Sequence, residues 1–554
     1  MQKRKNDHVR IFAMGGVGEI GKNMTVIEIN DDLFVVDAGL MRPKDDMLGV
    51  DIVIPDSSYL TENRDRIRAI FLTHGHHAHM GGLPYLLRDI QAPVYGTKLT
   101  IALFEQLLRD TKASGKARTN VIDPNKDLKI GDERISFFRV NHSVPDAIGI
   151  AFHTSQGAIV HTGDFKFDHT PVDGQKSDIS KLSRLGDRGV LCLLSDSKNA
   201  EIPGKTPSDS GVGESLEDHF YFAKGRVITA LYATNIHRIQ QVINAAIANR
   251  RRVALDGRHL ERIVGIATKL GYLQVPRHTF TTLDKISKRK DQDVAIITSG
   301  NQGDPVTPLI NIADGSHRNL KLKANDLFIF AASSTPGTEK SVTKAIDSLM
   351  RMDVQVIYGD DVHVSGHASA EDLKLMLHLT QPKHFIPIHG EFRMQKEHAD
   401  LAHSMSLAPH QVFLVDKGDV VEFSKEQARQ VDKVPAGQLL VDGLGVGDVG
   451  NIVLRDRRLL AEDGTLIVVV TLGKRQKNIV SGPEIITRGF VYVRESEKLI
   501  GDATQIVEEV LNKSLDQNIS EWSSLKNGIR DALGKYLYDK TKRRPMILPI
   551  IMEI

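Results

Sequence analysis

The sequence predicts a multidomain α/β protein, and two features of the chain lead to this prediction. In the first half, short apolar runs rich in Val and Ile, such as Val9–Met14 and Ile135–Val140, alternate with amphipathic segments such as Lys98–Ala113. From about Gly225 onward, strand-like and helical segments alternate regularly. Because 554 residues are too many for one hydrophobic core, three or four domains are expected.

The first half predicts a layered domain of strands and helices. Its apolar runs end at turns, and Thr154-Ser155-Gln156-Gly157 is typical of a hairpin turn between two strands. Further strand-like runs are Met24–Ile29, Leu33–Val36, Ala69–Leu72, Ala147–His153 and Ala158–His161.

Two more α/β units are expected after this domain. In the middle unit, strand–helix alternation predicts a parallel sheet. Its strand-like segments are Val227–Leu231, Val253–Leu255, Val294–Thr298, Leu327–Ala332 and Val354–Tyr358, with a helical segment at Arg238–Arg250. The third unit begins near Gly450, with expected strands Leu466–Thr471, Phe490–Arg494 and Met546–Met552 and expected helices Asp502–Lys513 and Glu521–Tyr538.

Composition and charge narrow the chemistry that the chain can carry. Apolar residues make up 41% and charged residues 26%, and a net charge of +2 leaves any nucleic-acid binding to local clusters. The single cysteine, Cys192, lies in an apolar run, so an internal disulfide and a thiolate-rich zinc cluster are excluded. Neither a signal peptide nor an apolar segment of roughly 20 residues is recognisable, and a cytoplasmic location without membrane attachment is expected.

A glycine-rich segment, Gly16–Gly21, matches the dinucleotide-binding pattern GxGxxG. That pattern requires a helix directly after it, whose N-terminus meets the pyrophosphate. The next segment of this chain is instead Asn23–Ile29, an alternating run rich in β-branched residues. The glycines are therefore interpreted as a tight turn between two strands.

A cluster of histidines, His74-Gly75-His76-His77-Ala78-His79, directly follows the predicted strand Ala69–Leu72. One interpretation is a solvated, His-rich loop. The alternative is a metal site, because other predicted strands also end in potential ligands and such ends gather at one edge of an α/β sheet. These further ligands are His142, Asp164, Asp196 and His389.

Imidazole and carboxylate ligands together indicate a borderline or hard metal ion, and zinc or manganese fits such a set. Two ions that share a carboxylate can activate water for in-line attack on phosphorus and stabilise charge on its oxygens. The pattern therefore favours phosphodiester hydrolysis.

In this order the motifs resemble the ribonuclease J family, in the nucleic-acid-processing branch of the metallo-β-lactamase superfamily that carries the β-CASP insertion. The resemblance runs along essentially the whole chain, and each motif alone is weak. The motifs are Val36-Asp37-Ala38-Gly39-Leu40, His161-Thr162-Gly163-Asp164-Phe165-Lys166, Ser195-Asp196-Ser197, His363-Val364-Ser365-Gly366-His367 and Lys542-Arg543-Arg544-Pro545-Met546-Ile547-Leu548-Pro549.

The resemblance implies an αββα metallo-β-lactamase sandwich with an inserted β-CASP α/β domain and a small α/β C-terminal domain. Because His389 belongs to the ligand set, the first domain must resume after the insertion. The expected boundaries are 1–206 and 359–449 for the two parts of the metallo-β-lactamase domain, 207–358 for the β-CASP domain and 450–554 for a C-terminal dimerisation domain.

The family pattern also implies roles for the residues of the site. His74, His76 and His142 would hold the first of up to two zinc or manganese ions, and Asp164 would bridge to the second. His79 and His389 would contribute to the second ion, and Asp164, Asp196 and His367 are the expected catalytic residues. Asp37 would orient a ligand histidine, with a strand-terminal turn aspartate as the alternative.

Two loops resemble RNA-contacting segments of the family. Hydroxyl, imidazole and backbone N–H groups in Ser365-Gly366-His367 are suitable donors to a phosphate. An alternative interpretation of His363 is a capped loop histidine that does not contact RNA. The expected substrate-binding residues are Ala233, Thr234, Asn235, His363, Val364, Ser365, Gly366 and His367.

The chain departs from the family pattern at two positions. Active members read His-x-His-x-Asp-His where this chain has Ala78 in the Asp position, so the second metal site lacks one anionic ligand and is expected to be weak. Alternatively, His77 could replace the missing aspartate as a metal ligand, although its neighbour His76 is already an expected ligand. Ala368 replaces the usual glycine after the phosphate motif and is expected to narrow that pocket.

These departures resemble the second, less active of two paralogues that some bacteria carry. One hypothesis is a weak ribonuclease with 5′-to-3′ exonuclease and endonuclease activity, acting in mRNA turnover and rRNA maturation. The other is a catalytically inactive RNA-binding subunit that supports an active paralogue. A small-molecule β-lactamase or thioesterase is the third and weakest alternative, because it has no use for the inserted domain.

The expected partners are implied by the same resemblance. They are RNA, a second copy in a homodimer or tetramer, a ribonuclease J paralogue in a hetero-oligomer, and an RNA degradosome. The basic runs Lys474-Arg475-Gln476-Lys477 and Lys540-Thr541-Lys542-Arg543-Arg544 are either RNA contacts or merely solvated faces.

Overall fold

The computed structural model shows two compact units. Unit 1 comprises the chain up to Arg42 and Ile52–Leu439, and unit 2 comprises Pro43–Asp51 and Leu440–Ile554. The residues that the structure describes are 7–111, 117–300, 303–334, 337–424, 427–443, 445–473, 478–492, 496–517 and 521–554. No helix among them combines the length and the apolar character that crossing a bilayer requires.

Unit 1 opens with the layered domain. Its strands before residue 207 are β1 (Val9–Gly15), β2 (Met24–Ile29), β3 (Asp32–Val36), β4 (Ile52–Pro55), β5 (Ile67–Phe71), β6 (Pro93–Gly96), β7 (Arg118–Val121), β8 (Leu128–Ile130), β9 (Glu133–Arg139), β10 (Ile148–Thr154), β11 (Gly157–His161) and β12 (Val190–Asp196). Its helices are α1 (Ser58–Glu62), α2 (His77–Met80), α3 (Leu83–Leu86), α4 (Lys98–Asp110) and α5 (Ile179–Arg188). The hairpin predicted at residues 154–157 joins β10 to β11, which confirms it.

The middle of unit 1 has the predicted strand–helix alternation. Its helices are α6 (Ser210–Phe222), α7 (Ile236–Ala248), α8 (Arg258–Leu270), α9 (Leu283–Ile286), α10 (Val306–Ala313) and α11 (Glu339–Met350). Its strands are β13 (Val227–Ala230), β14 (Arg252–Asp256), β15 (Phe280–Thr281), β16 (Val294–Thr298), β17 (Leu327–Phe330) and β18 (Gln355–Tyr358). They form one parallel sheet in the order β15-β14-β16-β13-β17-β18.

After residue 358 the chain returns to the first domain. The returning elements are α12 (Ala370–Thr380), β19 (His384–Ile388), α13 (Phe392–Ser404), β20 (Asp419–Phe423) and β21 (Ala428–Lys433). Strand β19 pairs in parallel with β12, and β20 pairs antiparallel with β1. The parallel sheet is therefore an insertion, as the sequence predicts.

Two sheets face each other in the layered domain, in the orders β21-β20-β1-β2-β3-β5-β6-β7 and β19-β12-β11-β10-β9-β8. Because side chains alternate across a strand, Phe34 points into the core between the sheets, where it packs on Phe152. Its neighbours Leu33 and Val35 join an outer core that includes Phe104 of α4. Helices cover the second sheet in the same way, which confirms the predicted αββα sandwich.

Strand β22 (Gln438–Asp442) spans the boundary between the units. The elements of unit 2 that come after it are β23 (Gly445–Val446), α14 (Asn451–Glu462), β24 (Thr465–Leu472), β25 (Ile479–Arg488), α15 (Glu497–Asp516), α16 (Trp522–Thr541) and β26 (Met546–Glu553). The three longest strands form a sheet in the order β25-β24-β26. The predicted strand Phe490–Arg494 was wrong over residues 490–492, which follow β25 and are not in a strand, and Phe490 is buried there. Residues 493–494 of this prediction lie outside the described part of the chain.

The glycine-rich segment at residues 16–21 is a turn between β1 and β2, as predicted. Gly16, Gly18 and Gly21 have φ values of 79°, 67° and 96°, a region that favours glycine. The turn forms backbone bridges to Gly390, next to the predicted ligand His389. Its role in the fold is therefore to support the loop that carries this histidine.

Candidate metal centre and phosphate-binding loop

Four side chains from three strand ends form a first candidate ligand set for a metal ion. His74 and His76 follow β5, His142 follows β9 and Asp164 follows β11. One ligand atom from each of them lies within 4.8 Å of all the others. His74, His142 and Asp164 are buried, and His76 is half-buried.

Hydrogen bonds fix which ring nitrogens of this set face each other. The Thr73 hydroxyl donates to Asp37 at 2.8 Å and so accepts from Nδ1 of His74 at 3.0 Å. Nδ1 of His142 donates to the carbonyl oxygen of Gly366 at 2.7 Å. Both rings therefore present an unprotonated Nε2 to the centre of the set.

The spacing of these nitrogens fits a metal ion. Nδ1 of His76 lies 3.1 Å from Nε2 of His74 and 3.2 Å from Nε2 of His142. Ligand atoms around a tetrahedral zinc are separated by about 3.3 Å. Burial lowers the pKa of His74 and His76 well below the usual range and that of His142 to about 3, so all three stay neutral, as metal ligands must.

A second ligand set lies beside the first and shares Asp164 with it. Its other members are Asp196 at the end of β12, His367 and His389. Nδ1 of His389 is 2.6 Å from Oδ1 of Asp164, and Nδ1 of His367 is 2.7 Å from Oδ2 of Asp196. Burial and the charge of Asp164 raise the pKa of Asp196 to about 6.

His79 lies between two carboxylates, and the geometric second set does not include it. Its Nδ1 is 2.7 Å from Oδ2 of Asp37, and its Nε2 is 3.0 Å from Oδ2 of Asp164. Burial lowers the pKa of His79, but the two carboxylates outweigh it and raise the pKa to about 10. Asp37 thus orients His79, and the ring can act as a ligand only after it loses the proton that faces Asp164.

Two residues of the site have a left-handed backbone, which only tertiary packing stabilises in residues other than glycine. The φ value is 62° at Asp37 and 49° at His389. Both come directly after a strand, and both aim their side chains toward Asp164 or its partner His79.

Ala78 lies in α2 between His76 and His79, and its methyl group offers no ligand atom. The His77 ring packs beside His259 of α8 at 5.4 Å between ring centroids, and its buried Nε2 has no hydrogen-bond partner in the part of the chain that the structure describes. Neither ligand set found among the described residues includes His77. The geometry therefore gives no support to His77 as a replacement for the missing carboxylate.

The loop predicted to bind phosphate lies against both ligand sets. Gly366 accepts from His142, and a side chain at position 366 would collide with that ring at 2.7 Å, so glycine is required here. The Ser365 hydroxyl oxygen accepts from Asn199 at 2.8 Å and from the backbone N–H of His367 at 3.2 Å. Ala368 is buried in an apolar core cluster.

The second predicted RNA-contacting segment, Ala233–Asn235, lies in the loop after β13 rather than at the strand end. Asn235 caps α7, because its side chain accepts from the backbone N–H of Arg238 at 3.0 Å. His363 is half-buried, and burial together with Arg238 lowers its pKa to about 4. Val364 packs at the edge of the largest core cluster.

Several residues that the sequence analysis missed contact the candidate ligands and the two loops predicted to contact RNA. The amide of Asn23 contacts Nε2 of His79 at 3.1 Å, and the Ser143 hydroxyl contacts Nε2 of His76 at 3.3 Å. Asp209 pairs with Lys166 at 2.6 Å and with Arg238 at 2.9 Å. Thr73 and Ser143 are adjacent in sequence to predicted ligands, and this adjacency could have identified them. No feature of the sequence points to Asp209.

Of the two basic runs, 474–477 lies outside the described residues. In the other run, the guanidinium of Arg543 donates to the carbonyl oxygen of Phe490 at 2.7 Å. The guanidinium of Arg544 stacks on Tyr538 at 4.5 Å from the ring centroid. Arg543 and Arg544 therefore form contacts within unit 2.

Comparison with known proteins defines the class of the chain. Family models match successive segments: the metallo-beta-lactamase superfamily at residues 17–201, the ribonuclease J beta-CASP domain at 224–349, the Zn-dependent metallo-hydrolase RNA specificity domain at 354–414 and the ribonuclease J C-terminal domain at 452–554. Fold, ligand sets and matches together describe a metallo-hydrolase of the metallo-β-lactamase superfamily with a β-CASP insertion.

Full-length relatives specify the family. The chain is 51% identical over 555 residues to ribonuclease J2 of Bacillus subtilis (strain 168), covering 100% of both chains. It is 43% identical over 553 residues to the ribonuclease J 2 proteins of Staphylococcus epidermidis and Staphylococcus aureus, covering 100% of this chain and 99% of each relative. The chain belongs to the ribonuclease J family, as its motifs predict.

A solved structure shares the fold. It is a protein of unknown function from Enterococcus faecalis V583, with a TM-score of 0.52 and 16% identity, covering 75% of this chain and 100% of that one. Family membership supports a metal-binding nuclease, and the RNA specificity match supports RNA as its partner.

Proposed function

We propose that the chain is a metal-dependent ribonuclease that degrades RNA from the 5′ end and also cuts internally, with turnover reduced by Ala78. Its proposed roles are mRNA turnover and rRNA maturation in the cytoplasm. The observation that carries the proposal is the first ligand set, in which three neutral imidazoles and Asp164 place ligand atoms within 4.8 Å of one another. The domain boundaries 1–206, 207–358, 359–449 and 450–554 are proposed with it.

The residues of the site have separable roles in this proposal. His74, His76, His142 and Asp164 would hold a zinc or manganese ion, which supplies Lewis acidity and activates water when bound. Ser365 and the backbone of the same loop orient the phosphate. Asp196, with a pKa raised to about 6 by burial and by Asp164, can take up a proton near neutral pH.

A time course of 5′-monophosphorylated RNA with added zinc or manganese tests this function. The wild-type chain is expected to release nucleotides faster than His76→Ala, which removes a ligand of the first set. Equal rates would leave the chain as a catalytically inactive RNA-binding subunit of a hetero-oligomer with an active paralogue, or of an RNA degradosome.

Ala78→Asp is expected to increase the rate of RNA degradation by roughly 10- to 100-fold, the range seen when groups supporting a metal site are changed. The added carboxylate restores the anionic ligand that the second site lacks. The same RNA time course measures it, with Ala78→Asn as a control of similar size and no charge. An unchanged rate in Ala78→Asp would contradict the account of Ala78.

We further propose that a second copy of the chain covers one face of the unit 2 sheet. On this face Leu548, Ile550 and Met552 of β26 are 42%, 46% and 47% exposed, whereas α15 and α16 pack on the opposite face. Three adjacent exposed apolar side chains on an edge strand match an identical apolar face best. A tetramer, or a paralogue in place of the second copy, would use the same face.

Ile550→Lys is expected to convert the dimer into a monomer, because a charge in the centre of an apolar interface is desolvated without a partner. Sedimentation velocity measures the change. Lys498→Ile, on α15, serves as a control that alters charge on unit 2 away from this face. A variant Ile550→Lys that sediments like the wild-type oligomer would contradict the proposed interface.

A further inference from the structure

The side chain of Lys198 reaches the second ligand set, although this residue lies outside the family motifs of the chain. Its ammonium nitrogen lies 3.1 Å from Nε2 of His367. Its backbone N–H donates to Oδ1 of Asp196 at 3.1 Å. The lysine is therefore fixed at both ends to members of this set, and it is half-buried rather than freely solvated.

The hydrogen bonds of His367 assign its two nitrogens. Nδ1 faces Oδ2 of Asp196 at 2.7 Å, and Nε2 faces the ammonium group, which can only donate. A neutral imidazole with its proton on Nδ1 satisfies both contacts. One of the three ammonium donors is used in this bond, and the others are available to an anion.

The positive charge of Lys198 can take on a role at the second ligand set because Ala78 leaves that set without one carboxylate. A second set without its full complement of anionic ligands holds a cation weakly, so less positive charge faces a bound phosphate there. A lysine ammonium binds phosphate as a compact point charge. Its position does not depend on a metal ion, because its backbone N–H is bonded to Asp196 and its ammonium group to His367.

We propose that Lys198 binds a phosphate oxygen of the RNA substrate and supplies at the second ligand set positive charge that a weakly held metal ion does not. The Ser365 hydroxyl, whose oxygen already accepts from Asn199 and from the N–H of His367, offers its proton to the same phosphate. This inference rests on the proposed function, since it concerns the binding of the same substrate.

Affinity for RNA tests the inference without relying on cleavage. The probes are two single-stranded RNAs of one sequence with hydrolysis-resistant phosphorothioate linkages, one with a 5′-monophosphate and one with a 5′-hydroxyl. Lys198→Met is expected to weaken binding about tenfold and to reduce the slope of log affinity against log salt by about 0.7, as loss of one phosphate contact on a single strand does. Fluorescence anisotropy of the full chain with zinc or manganese measures both.

Two variants control for folding and for general charge. Lys198→Arg keeps the charge and is expected to bind RNA within about twofold of wild type. Lys129→Met removes an equally charged but exposed side chain on β8 and is expected to leave affinity unchanged. A loss confined to the 5′-monophosphate probe assigns Lys198 to the terminal phosphate, and an equal loss on both probes assigns it to an internal one.

The outcomes separate this inference from the proposed function. Lys198→Met binding RNA as Lys129→Met does would overturn the inference even if the wild type cleaves RNA. Lys198-dependent binding by a wild-type chain that cleaves nothing would support the inference and remove the proposed function. Failure of the wild type to bind either probe would overturn both.

Discussion

Asp164→Ala is expected to reduce metal-dependent RNA cleavage by at least roughly 100-fold. Asp164 is the residue shared by both ligand sets, so its loss removes an oxygen ligand from each of them. It also removes the carboxylate that contacts His79 at 3.0 Å and His389 at 2.6 Å. The rate of nucleotide release and the metal content of the purified chain measure the effect together.

Asp127→Ala is the matched control for this prediction. Asp127 lies at an exposed position of the same domain, where it pairs with Arg134 at 2.7 Å. Its replacement should change neither cleavage nor metal content. A folded Asp164→Ala chain that keeps wild-type activity would show that neither ligand set supports the reaction.

Asp209→Ala is expected to lower the free energy of unfolding by about 3–5 kcal/mol, the range for removing one partner of a buried ionic network. Lys166 and Arg238, which share this carboxylate, are 1% and 0% exposed. Among the described residues, Lys166 retains only Asp168 at 3.6 Å as a charged partner, and Arg238 retains the amide oxygen of Gln241. Two buried cations would then lack an adequate anion.

Urea-induced unfolding followed by circular dichroism measures this loss. Trp522, the single tryptophan, lies in unit 2, so its fluorescence reports there and serves as an internal reference. Asp291→Ala, which breaks an exposed pair with Lys323, should cost less than about 1 kcal/mol. Equal stabilities of Asp209→Ala and Asp291→Ala would contradict the assigned network.

The network also connects the two halves of the site. Lys166 lies two residues after Asp164, and Arg238 lies in the helix that Asn235 caps. A single carboxylate thus joins the loop of the first ligand set to the loop predicted to contact RNA. Asp209→Asn, which keeps a hydrogen-bonding acceptor without the charge, should fall between the wild type and Asp209→Ala in stability.

Much of the fold could be predicted from the sequence because its signals are local. Alternating apolar runs predicted β1, β2 and β3, and the β-branched run after the glycine turn excluded a helix there. The residue types in the loops at the ends of β5, β9 and β11 predicted a candidate ligand set without any knowledge of tertiary contacts. The roles of these residues as ligands stay a prediction that the experiments above test.

Elements whose stability comes from tertiary packing could not be predicted. Strand β25 contains Gly482 and Pro483, which interrupt the strand pattern, and an edge strand tolerates them. The ammonium of Lys198 reaches His367 across 169 positions of the chain, a distance that no spacing rule covers.

The most direct test of metal-dependent RNA cleavage is the initial rate of nucleotide release from 5′-monophosphorylated RNA as a function of added zinc or manganese, beginning from chelator-treated protein. We expect a rate that is zero without metal, rises with metal in the wild-type chain and stays at zero in His76→Ala. A rate in the wild type that is independent of metal, or equal to that of His76→Ala at every concentration, would contradict a metal-dependent ribonuclease.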